Sequence, residues 1–236
     1  MSKRRTVFLP VLLLFLFGQS YVGFTSAKMD EWTEEEIGKV AVKADKAATK
    51  KHWEKAIRYG ERMLKGSEAL YGQDSPYYTS RLKTLIRYYD KAGHLDQIPE
   101  KVEKAYIQSK KYFDPKHDTA TISRLVYYKL LITQKKFSKA IPLVYENMAI
   151  LKNTEDDDFR KLHYLGQLNG LYGITGQFVL QEKILLEQLD LNKRLIGLTT
   201  KDNIKIIMNL AKNYCRRKLD AEFDTLVQTY GLKYKC

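Results

Sequence analysis

A short polar turn closed by one large apolar residue recurs five times in this chain at an almost constant interval. The turns read Lys51-His52-Trp53, Gly93-His94-Leu95, Lys135-Lys136-Phe137, Gly176-Gln177-Phe178 and Arg217-Lys218-Leu219. Their apolar members stand 42, 42, 41 and 41 residues apart. A second marker keeps the same period. Tyr71-Gly72-Gln73-Asp74-Ser75-Pro76 returns as Phe113-Asp114-Pro115-Lys116-His117-Asp118, and echoes follow at 154–158 and 197–202. Each period thus holds two breaks, and between them the apolar residues follow helical spacing. Leu82, Leu85, Ile86 and Tyr89 run before one turn, with Leu165, Leu168 and Tyr172 as counterparts. Leu95, Ile98, Val102 and Ala105 run after it, and later Phe178, Leu185 and Leu189.

The breaks carry helix start and stop chemistry. Ser75-Pro76 sets a capping hydroxyl before a proline suited to a first helical position. The Asp156-Asp157-Asp158 run puts negative charge where the helix dipole favours it. One helix pair of this size cannot cover its own apolar face, but stacked pairs can. The spacing therefore predicts an all-α chain, an α-solenoid of about five helical hairpins in a right-handed superhelix. It forms one array over 28–236, with repeats near 34–70, 71–112, 113–154, 155–196 and 197–236. The first helix, near Glu34 to Lys50, offers little beyond Val40, Val42, Ala44 and Ala47, and reads as a cap.

These residues resemble the tetratricopeptide signature. Leu165-x-x-Leu168-x-x-x-Tyr172-x-x-x-Gly176-x-Phe178 follows it, as do Leu82 to Leu95 and the late small residue Ala105. Trp53-Glu54-Lys55-Ala56 and Phe137-Ser138-Lys139-Ala140 match the opening of the second helix. The long period and the Tyr71 to Pro76 linker are similar to the kinesin-light-chain-like subclass, as is Ile207-Met208-Asn209-Leu210-Ala211. Gln181 and Glu222 depart from the pattern, replacing the alanine seen at Ala56 and Ala140. The resemblance implies binding of a peptide or protein in a concave groove. It implies no motor role.

Residues 1–27 stand apart. Lys3, Arg4 and Arg5 precede an apolar run from Val7 to Phe17, and Thr25-Ser26-Ala27 offers a cleavage site. The run is shorter than the roughly 20 residues a bilayer span needs. It reads as a secretory signal, so the expected location is periplasmic or secreted, with an uncleaved signal anchor as the alternative. Without the leader the formal charge falls from +13 to +10. Such a surplus suits acidic partners, anionic surfaces or nucleic acid. Adjacent tyrosines such as Tyr77-Tyr78, Tyr88-Tyr89 and Tyr127-Tyr128 point about 100° apart on a helix and make no stacking platform. That argues against nucleic acid as the partner.

Catalytic and metal-binding patterns are missing from the sequence. The four histidines do not gather, and no cysteine pair has metal spacing. The chain reads as a scaffold, not an enzyme, with no cofactor. Registered on the turns, the inward face of the first helices includes Lys83, Thr84, Arg87 and Lys91 in the second repeat. It includes His163, Gln167 and Gly170 in the fourth, and Lys205, Asn209, Lys212 and Arg216 in the fifth. The resemblance gives Asn209 the role of hydrogen-bonding a bound backbone, with Gln167 and Thr84 in equivalent places. The cations would select acidic groups. A structural component on an anionic envelope surface, or one that self-assembles, is the alternative.

The cysteines, Cys215 and Cys236, are expected to stay unpaired within one chain. About twelve helical residues carry the chain roughly 18 Å from the last turn. A fully extended tail returns at most about 20 Å.

Overall fold

The computed structural model describes residues 32–152, 154–197 and 201–236, with only the backbone at 155, 201 and 202. The chain divides into 1–31 and Trp32–Cys236, and the described residues belong to the second unit. The leader and its cleavage site lie outside them.

Among the described residues there are ten α-helices and no strand. In order they are α1 (Glu34–Thr49), α2 (Trp53–Tyr71), α3 (Pro76–Ala92), α4 (Pro99–Tyr112) and α5 (Asp118–Thr133). Then follow α6 (Phe137–Ala149), α7 (Glu155–Ile174), α8 (Phe178–Ile196), α9 (Lys201–Arg217) and α10 (Asp220–Tyr230). Each helix packs on its neighbours in sequence, and α3 also meets α5 across the intervening hairpin partner. This is the expected stack of five hairpins.

Local chemistry explains where the helices begin. Thr33 and Glu36 form a reciprocal capping box at α1. Ser75 accepts from the amide of Tyr78, with Pro76 as the first residue of α3. Thr154 accepts from Asp157 at α7. The second repeat departs from expectation after its turn. Leu95–Gln97 is a 3-10 turn and α4 starts only at Pro99. Proline has no amide hydrogen to give an interior helical bond, so the helix begins where none is needed.

All five turns close in the same way. The amides of His52, His94, Lys136, Gln177 and Leu219 donate to the carbonyls of Ala47, Tyr89, Leu131, Tyr172 and Tyr214, at 2.8 to 3.0 Å. The residue before each donor is left-handed: Lys51, Gly93, Lys135, Gly176 and Lys218, with φ between 56° and 79°. This is the reversal that ends many helices. Lysine pays a steric cost there that glycine avoids, but its charge suits the negative end of the helix dipole. The left-handed residues are 42, 42, 41 and 42 apart. The fifth repeat is therefore full length, and its register corrects the sequence reading by one residue. Leu219 caps α10 instead of opening it. Buried Phe223, not Glu222, takes the place of Ala56 and Ala140.

The largest apolar cluster runs from Leu64 on α2 to Leu191 on α8, through Leu82, Leu85, Val102, Leu130, Val144, Leu165 and Leu168. A separate cluster joins Leu185 and Leu189 of α8 to α9, α10 and the tail. The alanine-rich α1 buries Ile37, Val40, Ala44 and Ala47, while Val42 faces out.

Cys215 and Cys236 are joined, with Cα atoms 5.5 Å apart. The expectation that they stay apart is overturned by the tail. Gly231 is left-handed, and Leu232 donates to Val227, which turns the chain back at once. Leu232 and Tyr234 then pack on the terminal cluster, the Tyr234 ring 6.0 Å from that of Phe223. Apolar burial of these two side chains supplies the tight doubling-back that the reach estimate required.

Candidate partner-binding site

The sequence-predicted residues fall into two groups. Gln167 on α7 and Asn209 on α9 line one pocket of about 670 Å3. His163 and Lys205, also expected inward, line it too. Its floor comes from α8 through Gln188, Asn192 and Ile196, and Phe159, Leu162 and Ile206 supply apolar wall. Gln167 Nε2 lies 3.0 Å from His163 Nε2, one helical turn away. Asn209 is half-buried, and its amide has no hydrogen-bond partner among the described residues.

At the pocket floor Asn192 is fully buried. Its Nδ2 donates to Asn203 Oδ1 at 2.8 Å, while its own Oδ1 has no partner. A buried acceptor left in this way is costly. Sequence reasoning missed Gln188, Asn192 and Phe159. Two amides one helical turn apart on α8, a second helix of its pair, were the available signal.

Below the pocket, amides also bind the fourth and fifth repeats together. Asn213 of α9 donates to Gln181 Oε1 at 3.0 Å and to the Phe178 carbonyl at 2.8 Å. Gln181 donates onward to Asn169 Oδ1 at 2.9 Å. Arg217 of α9 pairs with Glu182 of α8. Gln181 thus stands where other repeats keep alanine because it links three helices.

The second-repeat residues behave differently. Lys83 is mostly covered and binds Asp118 of α5 at 2.8 Å. Its hydrogen bond holds the Asp118 carboxyl below the usual range, against the opposing effect of burial. Lys83 is therefore engaged in joining two repeats. Thr84 donates its hydroxyl to the Ser80 carbonyl at 3.1 Å. Arg87 and Lys91 are exposed. In the fifth repeat Lys212 is exposed, and the Arg216 guanidinium lies 5.5 Å from the centre of the Phe178 ring. Between the two groups the equivalent third-repeat positions are Ile122, Val126, Lys129 and Thr133. Lys129 is paired with Asp90 at 2.8 Å.

Among the described residues no group of three acidic, histidine or cysteine side chains is placed to hold a metal ion. No described helix is long and apolar enough to cross a membrane.

No protein-family model and no curated protein matches this sequence. Solved structures do resemble it. One is a Podosopora anserina protein with nearly identical TPR-like repeats of kinesin light chain type, at 15% identity and a TM-score of 0.56. The match covers 81% of this chain and 92% of that one. Another is BtubC (BKLC) from P. vanneervenii, at 18% identity and a TM-score of 0.51, covering 83% of this chain and 78% of that one. With these likenesses, the ten-helix stack is a TPR-like α-solenoid.

Proposed function

We propose that the chain is an exported, non-catalytic scaffold that holds a peptide or protein partner, acidic in character, along the face of its first helices. The observation that carries this reading is the pocket shared by Gln167 and Asn209. Two different helices offer amides there beside an apolar wall. An amide both donates and accepts, so a row of them suits an extended backbone whose sequence is not read. The flanking apolar residues would take a side chain of the partner. Arg87, Lys91, Lys212 and Arg216 would attract its carboxylates. Lys83 would act indirectly, by holding Asp118. Export is supported by the Cys215–Cys236 bond, since disulfides persist in oxidising compartments.

The test is a random peptide library panned against the purified protein, with affinities measured for the enriched peptides. Acidic peptides should dominate. Asn209→Ala should weaken them about tenfold, the usual consequence of losing one or two buried hydrogen bonds. The double variant Arg87→Glu, Lys212→Glu should also weaken binding and flatten its salt dependence. Enriched peptides that bind both folded variants as well as wild type would refute the site.

A further inference from the structure

The turns between the two helices of each hairpin carry a surface unrelated to the pocket. Lys50, Lys51, Lys135, Lys136 and Lys218 are all exposed at these turns. None has a carboxylate within ion-pair distance among the described residues. Exposed lysines such as Lys43, Lys65, Lys116 and Lys183 lie elsewhere on the fold without such a partner, but not in a row of turns. Other lysines are paired. Lys83, Lys101, Lys110, Lys111, Lys129 and Lys161 each hold an acidic partner.

Contacts between successive hairpins keep these turns along one edge. His94 at the second turn reaches Glu54 at the first, at 3.2 Å. Lys129 near the third reaches Asp90 near the second. Arg216 at the fifth lies over Phe178 at the fourth. The disulfide adds to this edge by returning the tail, with exposed Lys235, to the end of α9.

The fourth turn has no lysine. It presents Ile174, Val179 and Leu180 instead, 63%, 65% and 43% exposed. These aliphatic side chains stand between the third turn, with Lys135 and Lys136, and the fifth, where Lys218 is exposed beside Asp220 and Glu222. Aliphatic groups offer no ring face for a nucleic-acid base. An anionic lipid surface accommodates both parts: lysines sit at the headgroups and aliphatic side chains enter the acyl boundary.

We propose that this turn edge is a docking surface for anionic lipid bilayers, independent of the peptide pocket. The lysines supply attraction over about a Debye length. Ile174, Val179 and Leu180 supply a contact that salt does not screen.

The test is co-sedimentation of the purified protein with two kinds of vesicle. One is phosphatidylcholine alone; the other holds about one quarter phosphatidylglycerol. N-termini are checked by mass, so that any remaining leader is common to all variants, and folding is checked by circular dichroism. Wild type should prefer the anionic vesicles. Lys50→Glu, Lys51→Glu, Lys135→Glu, Lys136→Glu together should weaken that binding at least about tenfold. The same four positions changed to Gln should give a smaller loss in the same direction, and they serve where the reversed variant misfolds. Ile174→Ser, Val179→Ser, Leu180→Ser should leave binding at low salt but lose it near physiological salt. Lys110→Glu, Lys111→Glu, away from the turns, should have less than about a twofold effect. The proposal is overturned if wild type shows no preference for anionic vesicles, or if Lys110 and Lys111 matter as much as the turn lysines. Binding to a single-stranded oligonucleotide without binding to vesicles would overturn it as well.

Discussion

Tyr88 is 1% exposed, yet its hydroxyl ends on the Asp45 carboxylate of the preceding hairpin at 2.7 Å. Tyr89 reaches Glu61 at 3.1 Å, Tyr106 reaches Glu146 at 2.7 Å and Tyr127 reaches Glu103 at 2.8 Å. The ring fills an interface between helices, and the hydroxyl satisfies a carboxylate at its rim. This accounts for four of the chain's seventeen tyrosines. Burial, joined by the nearby glutamates, pushes Tyr89 and Tyr127 up to about 12. The sign follows from the raised value: the fold prefers the neutral phenol. The corresponding stability is complete below about pH 10, where unfolded tyrosine is still protonated. It is lost as pH rises through about 12. Tyrosinate absorbance should accordingly rise in two stages, the later one coinciding with loss of helical circular dichroism. A single transition near pH 10 with the helices intact would contradict these contacts.

Within the elements, α7 and α8 meet where Gly173 faces the Gln181 amide. A methyl group at Gly173 would lie 2.7 Å from Gln181 Nε2. That nitrogen already serves Asn169, and the same side chain accepts from Asn213. Gly173→Ala should therefore displace the amide and cost about 1 to 3 kcal/mol, from groups left unsatisfied. Gln181→Ala restores the residue that Ala56 and Ala140 hold in other repeats, and it removes the clash. The two changes share partners, so their effects should not add. Denaturant midpoints of both single variants and the double would measure the coupling. Additive losses would mean that Gly173 is there only for its backbone.

Among the described residues the apolar interior is not continuous. The cluster that ends at Leu191 is separate from the one holding α9, α10 and the tail, and amide contacts bridge the join. In a solenoid each repeat is stabilised by its neighbours, so a terminal repeat has one interface fewer. The disulfide compensates at this end. Closing a loop with a sequence separation of 21 restricts the unfolded chain by about 3 kcal/mol in the loop-entropy account. Reduction should free the tail and raise amide exchange in α10 and then α9, leaving α3 to α6 protected. Hydrogen exchange with and without reductant would test this. Uniform loosening of all ten helices would show one cooperative unit instead.

The recurring turns and the helical spacing of leucines were enough to establish a solenoid of five hairpins, because each repeat contacts mainly its neighbours and local pattern dictates local packing. The equivalence of Gln167 and Asn209 was also legible, since helix register alone puts them on one face. Other features depended on where distant segments meet. Lys83 looked like a free cation until Asp118, on another hairpin, was brought beside it. Arg124 is 2% exposed, its guanidinium bound to Asn147 at 2.6 Å, although its residue type suggests a solvated position. The fifth turn was read one residue early, because backbone hydrogen bonds set the register and Leu219 merely resembled the other apolar members. Pairing of Cys215 with Cys236 turned on whether Leu232 and Tyr234 would bury against Phe223 and its neighbours. Periodicity is a property of the chain and could be read along it. Ion pairing, amide satisfaction and the path of the tail are set by proximity across the chain, and tertiary packing alone decided them.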